Sequence, residues 1–303
     1  MLSNLQQLPR GYPHQRLIRQ ALRRLVPRLS RGELPAPPAA VWKGWRDYQV
    51  SDPVLSAQKL ARSIADVYQL RVRTIVVSFQ SDLPVAGRVE LGPSADFFVE
   101  LRSELKSQPR KIAAVLAHEV AHIFLHRRRL EFSEELDNEV LTDTTALVYG
   151  FGALLLDTYE VTETRTPVAG GQRVTRREEK LGYLSPEEYG WLLHKRGLQG
   201  VVEDLRSPAA TRAYFDGRRR QEQDLGPPLQ GAGFWRRLLY GWVRWWIGLR
   251  EGHQELHGDR DFALSGGKVA FRCPHCTQSI RLPTHRKLKA SCPGCGERFV
   301  CET

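Results

Sequence analysis

Apolar residues recur every three or four positions in several stretches of the chain, which is the pattern of helices that bury one face. Ser185 and Glu188 have the spacing of a capping box at the start of one such stretch, and Gly197 follows its last turn. Gly150 and Gly152 are expected to interrupt another. The predicted helices cover residues 14–30, 52–70, 108–128, 133–156, 185–197 and 234–250.

Three shorter runs are rich in β-branched and aromatic residues and predict strands. They are RTIVVSF at 73–79, GRVELG at 87–92 and DFFVEL at 96–101, and the turn-like sequence GPSA separates the last two. Together with the helices, these strands predict an α+β fold.

Changes in composition divide the chain into five segments. ELPAPPAA at 33–40 predicts an extended linker. The predicted segments are a basic N-terminal helix with its Pro-rich linker at 1–49, a main domain at 50–204, a linker at 205–233, a Trp/Arg-rich amphipathic helix at 234–250 and a cysteine-rich module at 268–303.

Positive charge is concentrated at the two ends of the chain. The formal net charge is +11; residues 1–49 carry nine Lys/Arg against two Asp/Glu, a net +7, and residues 266–303 carry seven against two, a net +5, which leaves −1 for the rest. Such basic ends suit nucleic acid, anionic lipid or an acidic protein as partner, although a solvated surface explains the charge equally well.

The stretch LAHEVAHIFLHRRR at 116–129 contains a pattern with specific chemistry. On a helix, His118 and His122 lie on one face and can point at the same ion, while Glu119 is rotated by about 100° and stands beside it. This is the H-E-x-x-H arrangement of zinc hydrolases, with two imidazole ligands and a general base. The apolar flanks favour a buried helix, in which these side chains are costly without a metal.

His126 continues the same stripe but is not expected to be a ligand. Three side chains spaced four residues apart span about 11 Å of helix axis, which is too far to converge on one ion at bond lengths near 2 Å. We predict instead that His126 and the following arginines complement the dipole at the C-terminal end of the helix.

A third ligand is predicted in DNEVLTDTTALVYGFG at 137–152, where Glu139 and Asp143 are one helical turn apart. One carboxylate could bind zinc and the other could accept the ring N–H of a ligating histidine; a solvated acidic face is the alternative. The spacing N-E-x-x-x-D after H-E-x-x-H resembles the gluzincins, the thermolysin-like zinc peptidases, over about residues 95–160. The resemblance implies that Glu139 is the third ligand and that Asp143 orients a motif histidine.

The resemblance also implies a zincin-like fold, in which the active-site helix and the third-ligand helix pack on a short mixed sheet. It implies that extended substrate pairs with an edge strand, which we expect to be DFFVEL at 96–101. The oxyanion needs a donor besides zinc. Tyr149, Tyr159, Tyr183 and His194 are available and the sequence does not discriminate among them; we keep Tyr149 and His194 as candidates.

All five cysteines fall within the last 31 residues, which indicates metal ligation in a reducing compartment rather than a disulfide framework. Four of them form two C-x-x-C pairs separated by fifteen residues, a spacing that resembles a zinc ribbon. Four thiolates complete the coordination sphere, so this second zinc is expected to be structural. The predicted ligands are Cys273, Cys276, Cys292 and Cys295, with Cys301 as a spare.

FWRRLLYGWVRWWIGLR at 234–250 contains four of the seven tryptophans and four arginines. As a helix, it places its aromatic and leucine side chains on an arc of about 140°, with the arginines on the other side. Seventeen residues with four arginines are not expected to span a bilayer, but they could lie in its interface as a peripheral membrane contact. Packing of this face on the main domain or on a partner is the commoner use of such a stripe.

Together these features predict a zinc endopeptidase that cleaves a protein or peptide substrate through a zinc-bound water activated by Glu119. The absence of a secretory signal and of long apolar runs predicts a cytoplasmic protein. One rival is a SprT-like DNA-associated protease, which also joins H-E-x-x-H to a zinc ribbon but takes its third ligand from a histidine. The other is a non-catalytic protein that binds a partner through the ribbon and the basic ends. An ImmA/IrrE-type regulatory protease is a narrower form of the main prediction.

Overall fold

The chain of the computed structural model forms two units, which are described separately. The first unit comprises Met1–Ala21 and Pro35–Arg218, and the second comprises Leu22–Leu34 and Arg219–Thr303. The predicted linker ELPAPPAA lies outside the described residues. The structure describes residues 11–29, 42–93, 95–168, 171–196, 199–223, 262–265, 267–273, 278–284 and 287–302, and positions 234, 235, 238, 239, 241, 242 and 245.

Helices and small sheets follow one another along the chain, which confirms the predicted α+β class. The helices are α1 (Gln15–Leu25), α2 (Pro53–Val67), α3 (Pro109–Arg128), α4 (Glu135–Val148), α5 (Gly152–Asp157), α6 (Pro186–Lys195) and α7 (Pro208–Gln223). The strands are β1 (Thr74–Gln80), β2 (Gly87–Glu90), β3 (Asp96–Arg102), β4 (Glu160–Val168), β5 (Gly171–Glu179), β6 (Phe262–Ser265), β7 (Lys268–Arg272), β8 (Ser279–Pro283), β9 (Lys287–Ser291) and β10 (Arg298–Glu302). Across the described ranges, no helix has the length and apolarity needed to cross a membrane.

The sheet beneath the candidate site has the strand order β1-β3-β2. β3 is its central strand: it runs parallel to β1, with Val77 opposite Val99, and antiparallel to β2, with Val89 opposite Val99. Alternate β3 side chains such as Phe97 and Val99 are buried, and α3 contacts both β2 and β3. The prediction that residues 96–101 form the edge strand is wrong, because β3 lies between β1 and β2, which are the two edges of this sheet among the described strands.

α3 carries the H-E-x-x-H motif through the centre of the first unit. Pro109 stands in its first turn, and Arg129 ends it in the left-handed conformation with φ of 53°. Every residue from Ile112 to Leu125 except His122 is buried. A helix that is enclosed on nearly all sides needs apolar residues all round, which is what the flanks of the motif supply. The predicted helix at 108–128 is therefore confirmed to within one residue.

The predicted interruption of the helix at 133–156 is also confirmed. α4 ends at Val148 and α5 begins at Gly152. Gly150 between them has φ of 95°, a conformation that residues with a Cβ rarely adopt. The chain therefore reverses at this glycine, and α5 returns to contact α3 and α6.

No strand is predicted from the pattern of residues 157–184, yet this stretch contains the β4–β5 hairpin. The two strands are largely exposed and lack the apolar alternation that marks a half-buried strand. They are held in register by cross-strand pairs such as Glu163 opposite Arg176 and Thr164 opposite Thr175. The usable signal was the run of valines and threonines on either side of a Gly-Gly pair.

The predicted linker at 205–233 is wrong over most of its described part, because residues 208–223 form α7. Pro208 occupies the first turn, where the backbone N–H that proline lacks would have no partner within the helix. Ala210, Ala213 and Tyr214 are buried on one face, so the polar composition hid a helix with a narrow apolar stripe. That face lies against α6 at very close range, since a Cβ on Gly190 would stand 2.4 Å from the Ala213 carbonyl oxygen.

We expect Gly217→Ala to destabilise the first unit by about 1–3 kcal/mol, since overpacking at rigid contacts costs this much. A Cβ at Gly217 would lie 2.1 Å from the backbone of both Gly190 and Trp191, so α6 and α7 must move apart. Urea unfolding measures the effect. Gly92→Ala is the matched control, because a Cβ there meets nothing within 4 Å; equal midpoints for the two variants would contradict the close helix contact.

The second unit contains the sheet β6-β7-β8 and the hairpin β9–β10. Its hydrophobic core includes Val26, which follows α1 directly, and so the segment after α1 packs with the cysteine-rich module. The prediction of a separate N-terminal segment at 1–49 missed this contact, which no local pattern could reveal. The core residues are Val26, Phe271, Cys273, Ile280, Cys292 and Cys301.

Candidate functional site

α3 and α4 bring the two motif histidines and Glu139 together. His118 Nε2 lies 3.1 Å from His122 Nε2 and 3.0 Å from Glu139 Oε2, and His122 Nε2 lies 3.3 Å from the same oxygen. Ligand atoms on a tetrahedral zinc with bonds of about 2.0–2.1 Å stand roughly 3.3 Å apart. The three atoms therefore have the spacing of three corners of such a site, and the group could hold a metal ion.

Hydrogen bonds at the Nδ1 atoms of both histidines orient the rings so that the two Nε2 atoms face each other. His118 Nδ1 lies 2.8 Å from the carboxylate of Asp143, which accepts only, so this nitrogen carries the proton. Thr142 donates its hydroxyl proton to the Asn138 carbonyl at 2.8 Å, so it accepts from His122 Nδ1 at 3.3 Å. The two Nε2 atoms and a carboxylate oxygen then converge on one point, which is the arrangement that a metal ion needs.

The two carboxylates of the group are ionised. Burial alone would raise the pKa of Glu139, but its hydrogen bonds with His118 and His122 outweigh burial and lower that pKa to about 2. Burial opposes ionisation of Asp143 as well, yet its bond to His118 and two backbone N–H groups lower its pKa. Burial opposes a proton on His118, but its hydrogen bonds with Asp143 and Glu139 outweigh burial and raise its pKa well above the ordinary value. A metal ion could take the place of that proton, since two imidazoles and one carboxylate are a donor set that suits a divalent cation.

Asp143 is held in place by the loop that follows β5. Its second oxygen accepts from the backbone N–H of Tyr183 at 2.5 Å and of Leu184 at 3.1 Å. Gly182 has φ of 83°, and a Cβ there would stand 2.9 Å from Asp143 Oδ2. Lys180 Nζ donates to the carbonyls of Gly182 at 2.6 Å and Leu184 at 2.9 Å. The loop thus holds the Asp143 carboxylate in place, and that carboxylate orients the His118 ring, which is the role predicted for Asp143.

Glu119 stands beside the group without belonging to it. Its side chain is almost fully buried, and burial raises its pKa, while the two histidines and a backbone hydrogen bond with Val89 oppose the shift. The close passage of β2 depends on Gly87, since a Cβ there would lie 2.3 Å from Val115 Cγ1 and 2.9 Å from Glu119 Oε1. Sequence reasoning did not find Gly87, although a glycine that opens a strand is a signal of close backbone approach.

These groups line one cleft of about 650 Å³. The edge strand β2, the α4 residues Glu135 and Asn138, and the loop at 180–183 line it as well. A larger cavity of about 1110 Å³ lies at the N-terminal ends of α3 and α7, where Arg110 and Arg206 pack over the ring of Trp45. Of the residues considered for the site, Tyr159 alone lines that cavity, and the predicted base and ligands of the first metal site line the smaller cleft, which is therefore the candidate site.

Neither Tyr149 nor His194, the two predicted oxyanion donors, lines the cleft. The Tyr149 ring is buried 4.5 Å from that of Tyr68, and the His194 ring lies 4.1 Å from that of Tyr214. Both serve the core of the first unit, where aromatic rings bury much apolar area.

Tyr183 is the tyrosine that the structure places in the cleft. Its ring stacks on His118 with centroids 6.1 Å apart and an angle of 20° between the planes. Burial and the surrounding carboxylates raise its pKa to about 12, so the phenol keeps its proton and can donate a hydrogen bond. Its position depends on the loop that wraps Asp143, which is why the sequence could not separate it from the other candidates.

His126 lies in the last turn of α3, as predicted, and outside the group. Its Nδ1 is 3.3 Å from Glu131 Oε2, and both side chains are about one-third exposed. The even spacing of three histidines therefore conceals two different environments, one converging with Glu139 and one paired at the surface.

A second candidate metal group lies in the cysteine-rich module. The sulfurs of Cys273, Cys292 and Cys295 lie within 4.8 Å of one another, and Cys273 Sγ is 3.7 Å from Cys295 Sγ. Thiolates on a tetrahedral zinc with bonds of about 2.3 Å stand roughly 3.8 Å apart. The predicted fourth ligand, Cys276, lies outside the described residues.

The two halves of this group repeat one local geometry. The backbone N–H of Cys273 donates to the carbonyl of Gln278 at 2.8 Å, and that of Cys292 donates to Glu297 at 2.8 Å, so both turns close over the same five-residue offset. Each turn follows directly on a strand, β7 in one case and β9 in the other. Cys301 lies instead on β10 opposite Leu288 in the core, where burial raises the pKa of its thiol to about 11.

Compared with known proteins, the chain matches no protein-family model, no curated protein and no solved structure.

Proposed function

We propose that this protein is a zinc-dependent endopeptidase of the gluzincin type. His118, His122 and Glu139 hold the catalytic zinc, and Glu119 is the general base. The observation that carries the proposal is the convergence of two Nε2 atoms and a carboxylate oxygen at 3.0–3.3 Å, with the Nδ1 atoms held by Asp143 and Thr142. Hydrolytic zinc sites are built from this His₂Glu set with one position left for water.

Three groups of the cleft have roles in the proposed reaction. Zinc, when bound, would polarise the substrate carbonyl and lower the pKa of a bound water toward about 7. Glu119 would take a proton from the attacking water and pass it to the leaving amine, as general base and then general acid. Tyr183 lines the cleft and would donate a hydrogen bond to the oxyanion.

The edge strand β2 is placed so that an extended peptide substrate could pair with it. It pairs with β3 on one side among the described strands, and its residues 87–89 line the cleft beside Glu119. An extended peptide can add to such an edge through main-chain hydrogen bonds, which position a scissile bond without demanding one sequence. This supports a peptide substrate over a small metabolite.

Incubation with a proteome-derived peptide library tests the proposal directly. We expect new N-termini to form with the wild-type protein, to stop when 1,10-phenanthroline removes zinc, and to return when zinc is restored. His126→Ala is the control for loss of a histidine from the same helix, and it should cleave like the wild type. Cleavage that survives removal of all zinc would contradict the proposal.

Replacement of Glu139 by glutamine should lower the zinc content from two ions per chain, one for each candidate group, to one. A neutral amide lacks the charge that makes Glu139 a ligand. The measurement is metal analysis after gel filtration, with Glu135→Gln, in the same cleft, as the matched control. A SprT-like site would keep both ions, because its third ligand is a histidine; among the described residues, however, the histidines that line the cleft are His118 and His122.

A further inference from the structure

The aromatic face of the Trp/Arg-rich segment is exposed. Positions 234, 235, 238, 239, 241, 242 and 245 are helical. At 100° per residue, the six large apolar side chains among them fall on an arc of about 140°. Their exposed fractions are 70% for Phe234, 81% for Trp235, 51% for Leu238, 45% for Leu239, 57% for Trp242 and 62% for Trp245.

The other exposed aromatic side chains among the described residues, Phe98, Phe215 and Tyr183, are far apart in the sequence, and two other tryptophans are buried. Trp191 is fully buried and Trp45 is only 9% exposed. Three exposed tryptophans within eleven residues, together with a phenylalanine and two leucines, form one contiguous apolar face, whereas apolar residues scattered singly over a surface are ordinary. The face therefore has the properties of a binding surface.

The composition of the segment favours a lipid surface as the occupant. Residues 234–250 contain four arginines and no aspartate or glutamate. Tryptophan prefers the boundary between hydrocarbon and headgroups, and each cationic side chain near an anionic bilayer strengthens binding about fivefold. Seventeen residues are shorter than the roughly 20 that a spanning helix needs, but are long enough to lie in the interface.

We propose that the exposed Trp/Phe/Leu face of residues 234–245, in a segment that carries four arginines and no acid, inserts into the interfacial layer of an anionic lipid bilayer. The helix lies parallel to the surface with its apolar arc among the acyl chains. A second copy of the chain fits this face less well, because two such segments would bring eight arginines together without one carboxylate to pair them.

Vesicle flotation with the full-length protein tests the proposal. The probes are vesicles of phosphatidylcholine alone and vesicles with about one-third phosphatidylglycerol, both at physiological salt. We expect binding to the anionic vesicles and at least tenfold weaker binding to the neutral ones. In the triple variant Trp235→Ser, Trp242→Ser, Trp245→Ser, the partition coefficient should fall by about a hundredfold or more, since each tryptophan buries a large apolar area.

The matched control carries three substitutions at exposed apolar positions elsewhere, namely Val50→Ser, Val54→Ser and Val174→Ser. It should bind vesicles like the wild type, and unchanged zinc content shows that both variants are folded. Binding that the tryptophan substitutions leave intact, or equal binding to neutral vesicles, would overturn the proposal. So would concentration-dependent dimers in light scattering that the triple variant abolishes, because a second copy would then be the occupant.

Discussion

Replacing Glu119 with glutamine should abolish measurable peptide hydrolysis while leaving the zinc content unchanged. The side chain stands next to the histidine pair but outside the convergent triangle, so its loss removes no ligand. Glutamine keeps the shape of the side chain but cannot accept a proton. A positioned general base contributes about 10²- to 10⁴-fold to the rate, and we expect kcat to fall by that amount with little change in KM.

The experiment needs a control for the chemical change itself. Glu135→Gln makes the same substitution in the same cleft, on a residue in the first turn of α4, and it should leave kcat within about threefold of the wild type. Thermal unfolding should show that the Glu119 variant is at least as stable as the wild type, since it removes a desolvated charge. Full activity in Glu119→Gln would show that another group activates the water, and loss of zinc would show that Glu119 is a ligand.

Sequence predicts those relations in the site that hold between residues of the same helix. The i, i+4 spacing of His118 and His122 fixes their common face, and the apolar flanks predict that α3 is buried. Glu139 and Asp143 share the next helix, so their relation to each other also follows from helical geometry. Their contact with His118 does not, because it depends on how α3 and α4 pack.

The parts that sequence misses depend on segments distant in the chain. Tyr183 reaches His118 only because a loop 40 residues beyond Asp143 donates two N–H groups to that carboxylate. The resemblance to gluzincins implies an edge strand at 96–101, yet this strand lies between β1 and β2 and is buried on one face. The edge strand that lines the cleft, β2, is short and half-polar, as an exposed edge strand should be.

The cysteine-rich module allows a comparison between two cysteines that are equally buried. Cys292 belongs to the sulfur cluster, whereas Cys301 lies in the core beside it, on β10. A cysteine with no metal behaves as a small apolar side chain with a weak donor. Cys292 and Cys301 are therefore packed alike, but only Cys292 belongs to the candidate metal group. Replacing each with alanine distinguishes the free-energy cost of a lost metal ligand from that of a cavity.

Cys292→Ala should release the structural zinc and unfold the module, whereas Cys301→Ala should do neither. Zinc in small structural sites contributes about 10–16 kcal/mol of apparent binding free energy, far more than the core residues around it can replace. Removal of one buried sulfur from Cys301 costs about 1–2 kcal/mol at most, because it leaves only a small cavity. The measurements are zinc per chain and hydrogen exchange over residues 262–302.

The expected result for Cys292→Ala is loss of exchange protection throughout β7–β10 with one zinc ion retained by the first unit. Retention of that ion matters, because it shows that the two candidate metal groups are independent. If Cys301→Ala released zinc and Cys292→Ala did not, the cluster would have to include Cys301, and the burial of its thiol in the apolar core would need another explanation. If both variants kept the full zinc content and exchange protection, packing alone would hold the module together. Its small size argues against that outcome, because domains below about 40 residues rarely fold without a disulfide, a metal ion or oligomerisation.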